Sequence, residues 1–175
     1  ASAICSFCDT DFIGTNGQNG GKFKTAQALA TQIREFWPDD SKGFVVFTGG
    51  EPGLQLDDEL IEAMHHLNIE CAVESNGTVP LPKALDWVCI SPKGASIVVI
   101  EECDELKLVF PQDGAPPERF DSINSKYRYL SPKNDWTQTT LFPAQHPATK
   151  ACIDYCLAHP VWSLSLQSHK IINID

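Results

Sequence analysis

Cys5 and Cys8 are the first residues of the chain whose types and spacing could support chemistry. They are separated by two residues, as in cysteine pairs that bind a metal through thiolate sulfur. A structural zinc site would need a second pair with similar spacing, and the sequence has none. A redox-active pair of the thioredoxin kind and two buried structural thiols are further alternatives. The pair alone therefore leaves its chemistry open.

A glycine-rich turn further along the chain could bring a carboxylate close to a ligand. Residues 44–47 form a short, continuous apolar run of the kind found in buried parallel strands. Residues 48–52, with the sequence Thr-Gly-Gly-Glu-Pro, follow it directly. The two glycines let the backbone approach a ligand without a Cβ atom in the way, and Pro52 fixes the turn. Glu51 is therefore a candidate ligand-binding carboxylate.

Strand-like and helix-like segments alternate along the rest of the chain. Apolar residues at helical spacing predict helices, and short apolar runs that end in turn residues predict strands. Alternation of this kind predicts a parallel sheet with helices packed on it. The predicted helices cover residues 27–37, 57–67 and 143–159, and the predicted strands cover residues 44–47, 69–73, 86–90, 105–110, 127–130 and 162–167.

The length of the chain limits the architecture that this repeat can build. Its 175 residues suit one domain, which we expect to span residues 1–175. A full eight-fold β/α barrel takes roughly 250 residues. We therefore expect an α/β fold in which a parallel sheet forms a partial, open barrel. The proline-rich loop at residues 111–117 is expected to be a flexible connector.

Polar residues follow several of the predicted strands at the point where each strand ends. In parallel α/β folds, ligands bind at the carboxyl ends of the strands. Ordinary turn residues are the alternative interpretation for most of these positions, and an exposed surface lysine is the alternative for Lys93. The segments are Glu74-Ser75-Asn76, Ser91-Pro92-Lys93 and Ser131-Pro132-Lys133-Asn134.

Composition excludes some classes of partner. The formal net charge of −10 argues against nucleic acids and anionic membrane surfaces, which require a positive field. No apolar run approaches the roughly 20 residues of a membrane span. Cys71 and Cys89 lie in apolar, strand-like runs and are expected to be reduced, buried thiols of a cytoplasmic protein. Cys152 and Cys156 are four residues apart, which places them on one face of a helix.

The order of these motifs resembles the radical S-adenosylmethionine (SAM) superfamily. In that superfamily three cysteines bind a 4Fe–4S cluster, SAM chelates the fourth iron, and a Gly-Gly-Glu-Pro turn ends a strand one β/α unit later. Within the superfamily the chain is similar to the 7-carboxy-7-deazaguanine synthase family along nearly its whole length. The motifs that carry this similarity are FCDTDF at residues 7–12, ESNGT at 74–78, ISPK at 90–93, ELKLV at 105–109 and LSLQSHKIINID at 164–175.

The resemblance implies an activity and a set of cofactors. Members of the family convert 6-carboxy-5,6,7,8-tetrahydropterin, a small-molecule pterin, to 7-carboxy-7-deazaguanine and ammonia in queuosine and other deazapurine biosynthesis. A 5′-deoxyadenosyl radical formed from SAM abstracts the hydrogen at C6 of the pterin, and ring contraction follows. The cofactors are SAM, the 4Fe–4S cluster and Mg²⁺. An electron donor such as flavodoxin and a second copy of the chain, in a homodimer, are the implied protein partners.

The resemblance also implies roles for particular residues, and it assigns no catalytic side chain beyond the cofactor site. A turn hydroxyl is the alternative role for Thr10. Metal binding is implied for Cys5 and Cys8, on the cluster, and for Thr10, on Mg²⁺. Substrate binding is implied for Thr48 and Asp175, and SAM binding for Gly50, Glu51, Glu74, Asn76, Ser91, Pro92, Lys93, Ser131, Pro132, Lys133 and Asn134.

One part of the family pattern is incomplete in this sequence. The common C-x-x-x-C-x-x-C spacing would place a third cysteine at position 1, where the residue is Ala1. Some members carry a longer cluster loop, so we expect the third cysteine and the first strand, with its substrate loop, upstream of Ala1. Two other functions stay open at this point: a radical SAM activase of a partner protein, and an interaction module that has no cluster.

Overall fold

The computed structural model describes residues 14–15, 17, 19–37, 39–133 and 146–168. Within these ranges, the helices and strands follow one another in the predicted order, although β2 to β5 succeed each other with no α-helix between them. The helices are α1 (Ala26–Arg34), α2 (Asp58–His66) and α3 (Pro147–Ala158). The strands are β1 (Gly43–Phe47), β2 (Ile69–Ser75), β3 (Trp87–Ile90), β4 (Glu102–Phe110), β5 (Asn124–Pro132) and β6 (Ser163–Leu164), and 3₁₀ turns lie at Pro52–Leu54 and Pro117–Phe120.

Hydrogen bonds join the strands into one sheet in the order β1-β2-β3-β4-β5-β6. Pairing is parallel between β1 and β2, with Phe47 opposite Val73, and between β4 and β5, with Val109 opposite Ser131. Parallel pairing also joins β3 to β4 and β5 to β6. The predicted α/β class with a parallel sheet is confirmed.

The described residues fall into two compact units. The first unit contains the residues up to 75 together with residues 79–88, and the second contains residues 76–78 and those from 89 onward. The first unit thus holds α1, β1, α2 and β2, and the second holds β4, β5, α3 and β6. The expectation of one domain over residues 1–175 stays a prediction.

Local sequence explains the helices of the first unit. The Thr25 hydroxyl accepts a hydrogen bond from the backbone N–H of Ala28 at 3.2 Å, which caps α1. The Asp57 carboxylate caps α2 in the same way by accepting from the N–H of Leu60 at 2.9 Å. The apolar face of α2, which includes Ile61 and Met64, is fully buried in the core of this unit. Such capping and burial explain why α1 and α2 form at these residues.

The second unit is held by apolar side chains of β4 and β5 and by α3. Leu106, Leu108 and Leu130 are fully buried. Cys152 of α3 is also buried, and its Sγ atom lies 3.6 Å from the carbonyl oxygen of Phe110 at the end of β4. This packing anchors the carboxyl end of β4. In the described part of the chain, no helix has the length and apolar character that a membrane crossing requires.

Candidate functional site

The turn after β1 holds the Glu51 carboxylate in a defined orientation. Glu51 is half-buried, and its Oε1 atom accepts a hydrogen bond from the backbone N–H of Gly53 at 2.9 Å. The same oxygen accepts a hydrogen bond from the hydroxyl of Ser75, the last residue of β2, at 2.7 Å. Ser75 is 2% exposed, so its hydroxyl is a buried and fixed donor. Two neighbouring strand ends therefore position this carboxylate.

The glycines before Glu51 leave open space at the strand end. Gly49 has a φ of +89°, which glycine adopts without the strain that a side chain would bring. A Cβ atom at Gly49 would meet no other atom within 4 Å. Thr48 and Gly50, which are predicted to contact substrate and SAM, are both exposed at this turn. The turn thus offers room, backbone groups and one carboxylate for a ligand.

Gly53 closes the turn and tolerates no side chain. A Cβ atom there would lie 2.6 Å from Cγ2 of Val79 and 3.0 Å from Cδ2 of Leu81. We expect Gly53→Ala to lower the free energy of unfolding by about 1–3 kcal/mol, the range for overpacking a well-packed site. Chemical denaturation measures this change. Gly17→Ala is the control, because a Cβ atom at Gly17 would meet nothing within 4 Å; equal effects of the two changes would contradict the prediction.

Asn76 and Gly77 form a tight turn in the second unit. The Asn76 Oδ1 atom accepts a hydrogen bond from the backbone N–H of Thr78 at 2.9 Å. Gly77 has a φ of +75°, and a Cβ atom there would lie 2.9 Å from both Ile90 and Val98. The turn-forming role weighed for Asn76 is therefore observed, and its predicted contact with SAM stays a prediction.

The segment after β3 places a lysine against a serine. Ser91 is 8% exposed, Pro92 is fully buried and Lys93 is half-buried. The Lys93 Nζ atom donates to both the backbone carbonyl and the hydroxyl of Ser91, each at 2.6 Å. The alternative interpretation of Lys93 as an exposed surface lysine is wrong, because its ammonium folds back onto the strand end. A held ammonium of this kind can bind an anionic or hydroxyl-bearing ligand.

The end of β5 carries the last described group of predicted SAM contacts. Ser131 is 8% exposed and lies opposite Val109 in the parallel ladder with β4. Lys133, which is half-buried, donates its backbone N–H to the carbonyl oxygen of Phe110 at 2.8 Å. Each described predicted contact thus lies at, or just beyond, the carboxyl end of a strand. Five further predicted site residues lie outside the described residues: Cys5, Cys8, Thr10, Asn134 and Asp175.

The described cysteines are free thiols, and most of them are buried. Cys71, Cys89, Cys103 and Cys152 are buried, Cys156 is half-buried, and none of the five is in a disulfide. Burial, reinforced by the charge of Asp86, raises the pKa of Cys71 to about 12. Burial likewise raises the pKa of Cys103 to about 11 and that of Cys152 to about 12. The prediction of reduced, buried thiols is confirmed for Cys71 and Cys89.

A group of possible metal ligands lies within the first unit, toward the beginning of β2. Atoms of His65, Cys71 and Asp86 that could bind a metal lie within 4.8 Å of one another. The Oδ2 atom of Asp86 already accepts from the backbone N–H of Cys71 at 2.8 Å and lies 2.8 Å from Nε2 of His65. These hydrogen bonds account for the arrangement as a link between α2, β2 and the segment before β3.

Asp86 makes this link sensitive to acid. Burial opposes ionisation, but hydrogen bonds from Cys71 and His65, together with the positive charges of His65 and Lys42, outweigh it and lower the pKa of Asp86. A lowered pKa stabilises the fold above the unfolded-state value of about 3.9, and that contribution disappears as the pH falls through the folded-state value. We expect Asp86→Asn to lower the melting temperature at pH 7. The difference from wild type should shrink below about pH 4; a difference that is constant with pH would contradict this role.

Three side chains that support the site were not among the predicted contacts. Ser75 was recognised as a strand-end residue but not as the partner of Glu51. Gln112 and Arg119 bind the backbone that follows Lys93, from positions 19 and 26 residues further along the chain. The loop predicted to be a flexible connector contains Gln112 and the buried Ala115, so it is bonded and packed. Its proline content gave no sign of these contacts.

Comparisons with known proteins agree with this arrangement. The Radical SAM superfamily profile matches residues 2–96. The 7-carboxy-7-deazaguanine synthase of Bordetella pertussis is 49% identical over 99% of this chain, and the match covers 80% of that protein. The 7-carboxy-7-deazaguanine synthase of Caulobacter vibrioides is 48% identical, with the same two coverages.

A solved structure has the same fold. The crystal structure of QueE from Escherichia coli superposes with a TM-score of 0.55 at 23% identity, covering 81% of this chain and 63% of that one. The predicted α/β radical SAM fold is thereby confirmed. On the family match and the near-complete alignment with its relatives, the chain belongs to the 7-carboxy-7-deazaguanine synthase family of the radical SAM superfamily.

Proposed function

We propose that the protein converts 6-carboxy-5,6,7,8-tetrahydropterin to 7-carboxy-7-deazaguanine and ammonia, as a carbon–nitrogen lyase of queuosine and deazapurine biosynthesis. The observation that carries the proposal is the 49% identity over 99% of the chain to a 7-carboxy-7-deazaguanine synthase. The orientation of Glu51 by Ser75 supports it, because a fixed carboxylate at this strand end suits a cationic amino group.

Each unit, taken by itself, offers groups that suit part of SAM by their chemistry. SAM offers an ammonium, a carboxylate and ribose hydroxyls. The first unit offers the Glu51 carboxylate and open space beside Gly49, and the second unit offers the Lys93 ammonium with the Ser91 hydroxyl. When bound, the reduced 4Fe–4S cluster and SAM supply hydrogen-atom abstraction chemistry.

Each of these groups has a distinct part in holding the cofactor. Glu51 would accept hydrogen bonds from the amino group of SAM, and Ser75 keeps the accepting carboxylate from rotating. Lys93 and Ser91 would bind the carboxylate of SAM. Preorganised groups of this kind lose little conformational entropy when the cofactor binds.

Residues outside the described ranges complete the proposal. Cys5 and Cys8 would each bind an iron of the cluster. Thr10 would contribute a hydroxyl ligand to Mg²⁺, a hard cation that prefers oxygen and that could orient the carboxylate of the substrate. Reduction by a flavodoxin-like donor, assembly as a homodimer and a cytoplasmic location belong to the same proposal.

The test is turnover by the full-length polypeptide, with its cluster reconstituted anaerobically. Incubation with SAM, dithionite, Mg²⁺ and 6-carboxytetrahydropterin should give 7-carboxy-7-deazaguanine and one equivalent of ammonia, detected by mass spectrometry and an ammonia assay. No partner protein should be needed. SAM cleavage without conversion of the pterin would overturn the proposal in favour of an activase, and a colourless protein that binds no iron would favour a cluster-free module.

A further inference from the structure

The loop at residues 94–96, which follows the Ser91–Lys93 segment, is hydrogen-bonded to one side chain of the second unit, Arg119. The guanidinium of Arg119 donates to three consecutive backbone carbonyl oxygens of this loop, Gly94 at 2.7 Å, Ala95 at 3.3 Å and Ser96 at 2.7 Å. It donates to a fourth carbonyl, that of Gly114, at 2.7 Å. A guanidinium presents its donors in a rigid planar fork, which a lysine ammonium does not reproduce.

Gln112, the second residue after the end of β4, binds the same loop. Its Oε1 atom accepts from the backbone N–H of Gly94 at 2.9 Å. Its Nε2 atom lies 3.4 Å from the carbonyl oxygens of both Pro92 and Val109, to which it donates. Gln112 thereby ties the middle of the Ser91–Lys93 segment to β4.

The loop at residues 94–96 lies close to the loop at residues 111–117, and the two approach each other at Gly114. A Cβ atom on this residue would lie 3.0 Å from the backbone nitrogen of Ala95, and its φ is +71°. The backbone at Gly114 thus lies close enough to Gly94 and Ala95 that a side chain there would be crowded. The position of residues 94–96 is therefore set both by side-chain hydrogen bonds and by packing against the backbone at Gly114.

Hydrogen bonds continue from this loop to the Lys93 ammonium. The Ser96 hydroxyl donates to the carbonyl oxygen of Lys93 at 2.7 Å. The Nζ atom of Lys93 in turn donates to the Ser91 hydroxyl at 2.6 Å. An unbroken series of contacts thus runs from Arg119, through Ser96, to the two side chains assigned to the carboxylate of SAM.

We propose that Arg119 and Gln112 are positioning residues for SAM, which hold the loop at 94–96 so that Ser91 and Lys93 face the anionic carboxylate of the cofactor. This inference rests on the proposed function, because it requires the Ser91–Lys93 segment to contact SAM. Removing either side chain keeps Ser91 and Lys93 in the sequence but makes the backbone that carries them more mobile. Binding of SAM must then order that backbone, and the conformational entropy lost in doing so weakens SAM binding.

The experiment measures SAM binding to the full-length protein with its cluster, by anaerobic equilibrium dialysis with radiolabelled SAM. Arg119→Lys and Gln112→Ala should each raise the dissociation constant of SAM about tenfold, with iron content unchanged. The KM for SAM should rise with them while kcat at saturating SAM stays within about twofold, the pattern of weakened binding. Amide hydrogen exchange should accelerate in the peptide that contains Gly94 in both variants.

Arg128→Lys is the matched control. Arg128 also donates to a backbone carbonyl, that of Ile123 at 2.6 Å, and its side chain is 12% exposed, but it serves the loop that precedes β5. We expect this change to lower the melting temperature and leave the dissociation constant of SAM unchanged. An increase in that constant as large as for Arg119→Lys would overturn the inference, because general destabilisation would explain both.

Lys93→Met tests the proposed contact between Lys93 and SAM separately from the positioning role of Arg119 and Gln112. If Lys93→Met weakens SAM binding and neither Arg119→Lys nor Gln112→Ala does, the positioning role is wrong and the contact stands. If Lys93→Met has no effect, the segment does not bind SAM and the inference falls with it. Gln112→Ala carries the test if Arg119→Lys does not fold.

Discussion

Cys8→Ala is expected to abolish the iron–sulfur absorbance of the reconstituted protein and all turnover of the pterin. A thiolate is the ligand that iron–sulfur clusters take from proteins, and alanine offers no donor atom. The family match places Cys8 within the superfamily profile. Iron analysis, visible absorbance and product formation measure the loss, and Cys5→Ala should behave in the same way.

The remaining cysteines supply the control for this prediction. Burial raises the pKa of Cys156, and its thiol is half-buried in α3, so it is a poor cluster ligand at neutral pH. Cys156→Ala should therefore keep its full iron content and activity. Iron retained in Cys8→Ala, or lost equally in Cys156→Ala, would remove the basis for assigning the cluster to the Cys5–Cys8 pair.

Glu51→Gln is expected to weaken SAM binding by roughly 10- to 100-fold, the loss of a charge-assisted hydrogen bond in a partly buried site. The amide keeps the size of the carboxylate and can still accept from Gly53 and Ser75 through its oxygen. What it loses is the negative charge that we propose binds the amino group of SAM. Equilibrium dialysis with SAM measures the effect.

Two further variants test the orientation of the Glu51 carboxylate and provide a control. Ser75→Ala should have a smaller effect in the same direction, because it removes the Ser75 donor to Oε1 of Glu51 and leaves the charge. Glu59→Gln changes an exposed carboxylate in the first turn of α2 and should leave SAM binding unchanged. An unchanged dissociation constant in Glu51→Gln would exclude the carboxylate from the cofactor site.

Apolar runs predicted the centre of each strand better than its ends. The strand predicted at residues 105–110 begins three residues earlier, at Glu102, and the one predicted at residues 127–130 runs from Asn124 to Pro132. The added residues are mostly polar and are held by the ladder between β4 and β5, in which Glu102 lies opposite Asn124. Pairing between the two strands extends both of them, and this pairing cannot be predicted from apolar periodicity.

Capping and turn chemistry explain the differences among the helices. The first helix was predicted as far as Trp37 but ends at Arg34, and residues 35–37 continue as turns. The helix predicted at residues 57–67 has Asp57 as its cap and runs from Asp58 to His66, so its bounds were nearly correct. Apolar spacing in a sequence therefore predicts that a helix is present more reliably than it predicts the residue at which the helix ends.

The candidate site divides into motifs that a sequence can reveal and contacts that it cannot. Glu51 could be recognised because it follows an apolar strand and two glycines within five residues. Its partner Ser75 comes from the next strand, 24 residues away, and resembled an ordinary turn residue. Arg119 donates to carbonyl groups up to 25 residues away along the chain. Every residue has a backbone carbonyl, so the sequence does not show which of them accept a hydrogen bond.

The most direct test of the account follows the hydrogen at C6 of the substrate. The full-length protein, with its cluster reduced, is incubated with SAM and with 6-carboxytetrahydropterin that carries deuterium at C6, and the adenosyl compounds are analysed by mass spectrometry. We predict deuterium at the 5′ carbon of the adenosyl group, together with 7-carboxy-7-deazaguanine. Formation of that product with no deuterium in any adenosyl compound would contradict hydrogen abstraction at C6 and, with it, the proposed radical mechanism.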